Sequence, residues 1–202
     1  MNADALLKNV VAEGLEKCVN NLSRISCGKW RLAGAQIRSG TFNEISAIPR
    51  PRAEDGVAVY FEVAGGYPFT AMIIFRTADI PALSRCLFGT VFSHGVRVNQ
   101  PDELMLSEVG NIILNSVAGA LSRALKQVCL PSVPKLVRGE SEFLLEALWA
   151  AIDKNSRNSF ISLDISFECD DVAARAEVVG VIPAGLREAL EKTALNCGKK
   201  ND

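Results

Sequence analysis

Residues 103–126 read ELMLSEVGNIILNSVAGALSRALK. At 100° per residue, Leu106, Val109, Ile113, Val117, Ala120, Leu121 and Ala124 fall on one broad apolar face, as in a helix packed on a core. The pattern predicts a long helix over Pro101–Gln127, opened by Asp102 as N-cap. A second stripe carries Glu108, Asn111 and Asn115 at i, i+3 and i+7, so their side chains point the same way. Small residues surround them: Gly110, Ala118, Gly119 and Ser122. In a helix interior Asn and Gly each cost from a few tenths to about 1 kcal/mol relative to Ala. Two of each within this short span point to a shallow contact strip, one that another protein's backbone can approach closely.

Outward from this helix, the same order of elements occurs twice. In the first half the spacing of Leu6, Leu7, Val10, Val11, Leu15, Val19 and Leu22 predicts a helix over the first 27 residues, stopped at Gly28. Trp30–Ile37 reads as a strand. A turn-rich stretch with Pro49, Pro51 and Gly56 follows. Val57–Ala64 and Phe69–Phe75 flank the turn signal Gly65-Gly66 as a hairpin. Ile80–Phe88 reads as a short helix ending at Gly89, and Thr90–Gln100 as a link. In the second half the long helix is followed by a strand at Ser132–Val137. Ser141–Ile152 reads as an amphipathic helix with Glu142, Glu146 and Asp153 on its wet side. Phe160–Phe167 and Val172–Ile182 form a second hairpin about the turn Asp170-Asp171. Pro183 opens a last helix, Ala184–Asn196. The expected fold is therefore α+β, a single domain over 1–202 made of two pseudo-symmetric halves, about 1–95 and about 100–200. A central, mainly antiparallel sheet would be covered by helices.

Composition narrows the function classes. The 202 residues carry 22 Lys+Arg against 23 Asp+Glu, and 49 % are hydrophobic. This is the mix of an ordinary globular protein. The balanced charge argues against a general nucleic-acid binder. No apolar run is expected to reach the roughly 18 residues of a membrane span. Charges run through MNADALLKNVVAEGLEKC, unlike a signal peptide, so a cytoplasmic protein is expected. The cysteines Cys18, Cys27, Cys86, Cys129, Cys169 and Cys197 form no C-x-x-C pair. No zinc site is expected, and the thiols read as small buried hydrophobes in a reducing compartment.

The run SEVGNIILNSVAGALSRAL resembles the signature helix of the CheC/CheX/FliY phosphatases of bacterial chemotaxis. The pattern of that family is Asp or Ser, three residues, Glu, two residues, Asn, twenty-two residues, Pro. Here Glu108, Asn111 and Pro134 stand at those spacings, and Leu104 replaces the leading Asp or Ser. The twofold order of elements is also similar to CheC. In the first helix the corresponding positions are Asn9 and Ala12, while Glu13 and Glu16 lack an Asn three residues on. One active and one degenerate half are therefore expected.

The resemblance implies hydrolysis of the aspartyl phosphate of a CheY-like response regulator in two-component signalling. The protein would bring no cofactor or metal of its own, because Mg²⁺ belongs to the regulator. Asn111 would orient the attacking water, a task suited to a group with one acceptor and two donors that does not titrate. Glu108 would meet the regulator's active-site lysine through a charge-assisted bond. Asn115, Ala118, Gly119, Ser122 and Pro134 would line the docking surface. The resemblance also admits a CheD-like partner and a homodimer. The alternative is a catalytically weak or inactive binding module of the same fold, similar to the flagellar-switch relatives.

Other candidates carry less. His94 stands without a Ser or Cys motif. Ser84 and Ser122 lack a nucleophile-elbow pattern. Gly65-Gly66 precedes no P-loop. PRPRAEDG (49–56) reads as a solvated loop, and the terminal GKKND as a frayed tail.

Overall fold

A computed structural model describes residues 2–49, 55–91, 98–150, 152, 158–170 and 172–198. In chain order the elements are α1 (Ala3–Ile25), β1 (Trp30–Gly40), α2 (Phe42–Ser46), β2 (Asp55–Gly65), β3 (Phe69–Arg76) and α3 (Ile80–Phe88). The second half follows with α4 (Gln100–Leu125), β4 (Cys129–Pro131), β5 (Lys135–Glu140), α5 (Ser141–Ala150), β6 (Ser159–Cys169), β7 (Val172–Ile182) and α6 (Ala184–Gly198). His94, Asp153, residues 50–54 of the proline-rich stretch, Asp171 and the last four residues lie outside the described residues.

The seven strands form one antiparallel sheet in the order β1-β6-β7-β3-β2, with β4 and β5 both on the outer side of β2. This order is symmetric about the central β7–β3 pair. The first-half strand β1 borders the second-half β6, and the second-half strand β5 borders the first-half β2. Each half thus completes its neighbour's hairpin with its own edge strand. Pairings such as Ala35↔Ile165 join residues more than a hundred positions apart.

Helices cover both faces. On one face α1, α3 and α4 bury Leu15, Leu22, Leu83, Leu106 and Ile113 against Val59, Phe61, Ile73, Phe75 and Ile165. Fully burying such a side chain contributes about 1.5–3 kcal/mol. On the other face α2 and α5 press Ile45, Leu144, Leu145 and Leu148 onto Ala58, Met72, Ile74 and Phe160. One end is closed by α6, where Leu186 and Leu190 meet Leu6, Val10, Ala120 and Leu121.

Several expectations need correction. The N-cap of α4 is Asn99, not Asp102: the Asn99 side chain accepts from the Asp102 N–H at 2.9 Å, and Asp102 accepts from the Asn99 N–H at 3.1 Å. This reciprocal box needs the acid three residues inside the helix. The short helix α2 was not expected; its own box, between Thr41 and Glu44, stabilises a single turn and a half of helix. The strand expected at Ser132–Val137 is split. Pro131 pairs with Val63 and Lys135 with Tyr60, so three residues oppose two. The Glu62 N–H donates to Ser132 Oγ at 3.1 Å, a hydroxyl standing in for a ladder carbonyl, while Pro134 has no N–H to satisfy. Finally, α4 is long and apolar enough to cross a membrane, contrary to expectation. Its apolar residues are spent on the core, since more than half of its most apolar 18-residue window is buried inside the fold.

Candidate functional site

The polar stripe of α4 faces outward. Glu108 and Asn115 are exposed and Asn111 is half-buried. Of the three acids on this helix, Asp102 is fully buried in the cap and Glu103 is ion-paired with Arg138 of β5. Glu108 has no ion-pair partner among the described residues. The Asn115 carboxamide nitrogen donates to the Asn111 backbone carbonyl at 2.8 Å and to Asn111 Oδ1 at 2.6 Å.

One turn before Glu108, Leu104 is 67 % exposed. It borders an apolar hollow of about 440 Å³ lined by Phe88, Gln100, Pro101, Leu104, Met105 and Glu108. Phe88, the last residue of α3, is itself 49 % exposed. The hollow escaped the sequence reading. Its signal was there, an apolar residue on the wet stripe four positions before Glu108, but Phe88 joins it only across space.

The small-residue strip does not survive as one surface. Relative to Glu108, Gly119 and Ser122 lie within about 40° around the helix, Ala118 about 80° away and Gly110 about 160° away. Accordingly Ala118 is 1 % exposed and belongs to the core, so it is not a docking residue. Gly110 faces β2, where an added Cβ would stand 3.2 Å from Val59 Cβ. Its smallness serves the close approach of helix and sheet. Gly119 is partly exposed. The Ser122 hydroxyl donates to the Gln127 carbonyl at 2.5 Å and so closes the helix end. Pro134 is half-buried on the sheet edge between β4 and β5, off the helix.

On α1, Asn9 and Ala12 are exposed at the positions that correspond to Glu108 and Asn111. The nearby Glu13 is ion-paired with Arg123 of α4 at 2.6 Å, which ties the two helices together.

The cysteines depart in part from the expectation. Cys18, Cys86 and Cys169 are buried, Cys129 is half-buried and Cys27 is exposed. Burial pushes the Cys18 thiol up to about 12. Burial, then the neighbouring Cys86, does the same for Cys169. Neither is a nucleophile at neutral pH. Among the described residues no three His, Cys, Asp or Glu side chains converge into a metal-binding group. A larger hollow, about 610 Å³, opens on the opposite sheet face. Most of its charged side chains are already engaged: Arg38 pairs with Asp164 at 2.5 Å, Arg76 with Asp79 at 2.6 Å, and Ser162 donates to Glu177 at 2.9 Å.

These features define a class by fold: a twofold, helix-covered antiparallel sheet, the architecture shared by FliY, CheX and the FliM middle domain. FliY of Thermotoga maritima superposes with a TM-score of 0.73 at 13 % identity, over 95 % of this chain and 94 % of that one. The FliM middle domain of Vibrio alginolyticus gives 0.59 at 11 % identity, over 93 % and 99 %. The chemotaxis protein CheX of Desulfovibrio desulfuricans gives 0.51 at 12 % identity, over 84 % and 97 %. No protein-family model and no curated protein sequence matches this chain. The likeness is therefore one of fold.

Proposed function

We propose that the chain is a phosphatase for the aspartyl phosphate of a CheY-like receiver domain, acting in the cytoplasm. The observation that carries this reading is the pairing of Glu108 and Asn111 on one outward face, with the Glu108 carboxylate free of internal ion pairs among the described residues. An acyl phosphate is already reactive, so its hydrolysis asks mainly for an oriented water and stabilised charge. The water oxygen bonds to phosphorus, the bond to the aspartyl oxygen breaks, and the water's proton leaves with the phosphate. The receiver supplies the aspartate, a lysine and Mg²⁺. Asn111 supplies the amide that directs the water. Glu108 meets the lysine and seats α4 in the receiver's site.

A second reading is favoured by one observation, Leu104 exposed where the family pattern has Asp or Ser. In this reading the chain binds a receiver or a flagellar-switch component without turnover, on the architecture it shares with the FliM middle domain.

The test follows loss of a phosphoryl label from phosphorylated receiver domains with Mg²⁺. Asn111→Ala should slow turnover about a hundredfold with docking retained, as loss of one preorganised polar group does. Glu108→Ala should weaken receiver affinity about tenfold or more, the worth of a hydrogen bond to a charged group. Binding of phosphorylated receivers without faster decay would establish the second reading. Acceleration that survives both substitutions would place the chemistry elsewhere.

A further inference from the structure

We propose that Asn115 is a positioning residue for Asn111, fixing which end of the Asn111 carboxamide faces a docked phosphoryl group. The inference rests on the phosphatase reading above and adds a component to it.

The two hydrogen bonds assign both amides. A backbone carbonyl only accepts, so the Asn115 atom 2.8 Å from the Asn111 carbonyl is the nitrogen. That nitrogen carries two hydrogens. Its second one meets the Asn111 side chain at 2.6 Å, and the atom there is accordingly the oxygen. Both hydrogens of Asn115 Nδ2 are thereby used, and Asn115 has no N–H left to offer a partner. Asn111 keeps two N–H donors and one Oδ1 lone pair. This is the set needed to hold a phosphoryl oxygen through N–H and to take one hydrogen of the attacking water on the oxygen. An unheld Asn side chain turns freely about its last torsion between two broad, opposite orientations. In one of them donor and acceptor would be exchanged at the reacting atoms. The i, i+4 bond removes that freedom before substrate arrives, which is how pre-orientation lowers a barrier. It also gives a reason for a poor helix former at position 115, where Ala would serve stability better.

The experiment uses the full chain with Asn115→Ala and Asn115→Asp, alongside a phosphorylated receiver domain and Mg²⁺. Asn115 is exposed, so both variants keep the fold, which far-UV circular dichroism checks. Turnover at saturating receiver and receiver affinity are measured separately. Loss of one neutral hydrogen bond should lower kcat about threefold to tenfold in Asn115→Ala, with affinity unchanged. Asn115→Asp should fall at least as far, because a carboxylate cannot donate to Oδ1 and draws the Asn111 NH₂ toward itself. NMR reads the contact without catalysis. The Asn111 side-chain amide should show a cross-relaxation peak to the Asn115 amide and should shift in Asn115→Ala. Native kcat in Asn115→Ala overturns the proposal while leaving the phosphatase reading intact. So does weakened affinity at native kcat, which would make Asn115 a docking residue, and so does an Asn111 amide signal that ignores the substitution. A native chain that binds phosphorylated receivers without accelerating their decay overturns the phosphatase reading itself, and the positioning role with it.

Discussion

The close passage of α1 over α4 is centred on Gly14, and Gly14→Ala tests it. A Cβ at this position would stand 2.7 Å from the Cα of Val117 and 3.2 Å from both the Ser116 carbonyl oxygen and Val117 Cγ2. A rotamer change relieves the last of these contacts but not the first two, which are backbone. The helices must therefore part by several tenths of an ångström along an interface that holds Val11, Leu15 and Val117 in one core cluster. Overpacking costs about 1–3 kcal/mol, and a backbone contact at 2.7 Å puts this case in the upper part of that range, about 2–3 kcal/mol. Alanine's better helix propensity returns at most about 1 kcal/mol. The net expectation is a loss of about 1–2 kcal/mol, or a Tm lower by about 2–8 °C for a chain of this size. Urea denaturation followed by circular dichroism, with a thermal scan beside it, measures the change. Gly119→Ala is the matched control: apart from the backbone of its own helix and its chain neighbours, the nearest heavy atom to its added Cβ is Arg123 Nη1, at 3.6 Å. It should gain up to about 1 kcal/mol from propensity alone. If Gly14→Ala were as stable as the native chain, or rose together with Gly119→Ala, the helices would not cross as closely as described.

Three further outcomes are expected. Asn99→Ala removes the reciprocal cap of α4 and should lower stability by about 1 kcal/mol, seen as a lower urea midpoint at unchanged slope. The Thr41 backbone N–H, then the Thr41 hydroxyl, hold the Glu44 carboxyl below its ordinary value. A carboxyl lowered in the folded state contributes its stabilisation above the ordinary carboxylate range and loses it as pH falls through the depressed value. An NMR acid titration should therefore show the Thr41 amide moving with Glu44, and a Glu44 that titrates at or above the ordinary value would contradict the box. Among the described cysteines, maleimide at neutral pH should modify Cys27 first, and Cys18 and Cys169 only on unfolding, as read by peptide mass mapping. Early labelling of Cys18 would mean that the α1 core opens in the native state.

Elements whose evidence is local were legible in the sequence. The α4 helix shows in the spacing of Leu106, Val109 and Ile113, because helical faces repeat within a few residues. The β2–β3 hairpin shows in Gly65-Gly66, and the structure explains the first glycine: Gly65 has φ +130° and a Cβ there would stand 1.9 Å from the Val128 carbonyl oxygen. The stripe of Glu108, Asn111 and Asn115 was legible for the same reason as the helix. Errors gathered where local chemistry admitted two outcomes. Asp102 is a good N-cap residue and a good third residue, and only the position of Asn99 decides between them. Gly110 and Ala118 are small whether they face a partner protein or their own sheet.

The sequence by itself thus determined the long helices, the two hairpins, their twofold order and the placing of Glu108 and Asn111 on one helix face, since helical periodicity and turn chemistry act over a few residues. Only the tertiary structure decided the exchange of edge strands between the halves, the hollow that Phe88 and Leu104 share, and the split strand at Pro134. These depend on side chains and backbone groups that meet from distant parts of the chain, and their pairing follows from the packing of the whole sheet rather than from any single stretch of sequence.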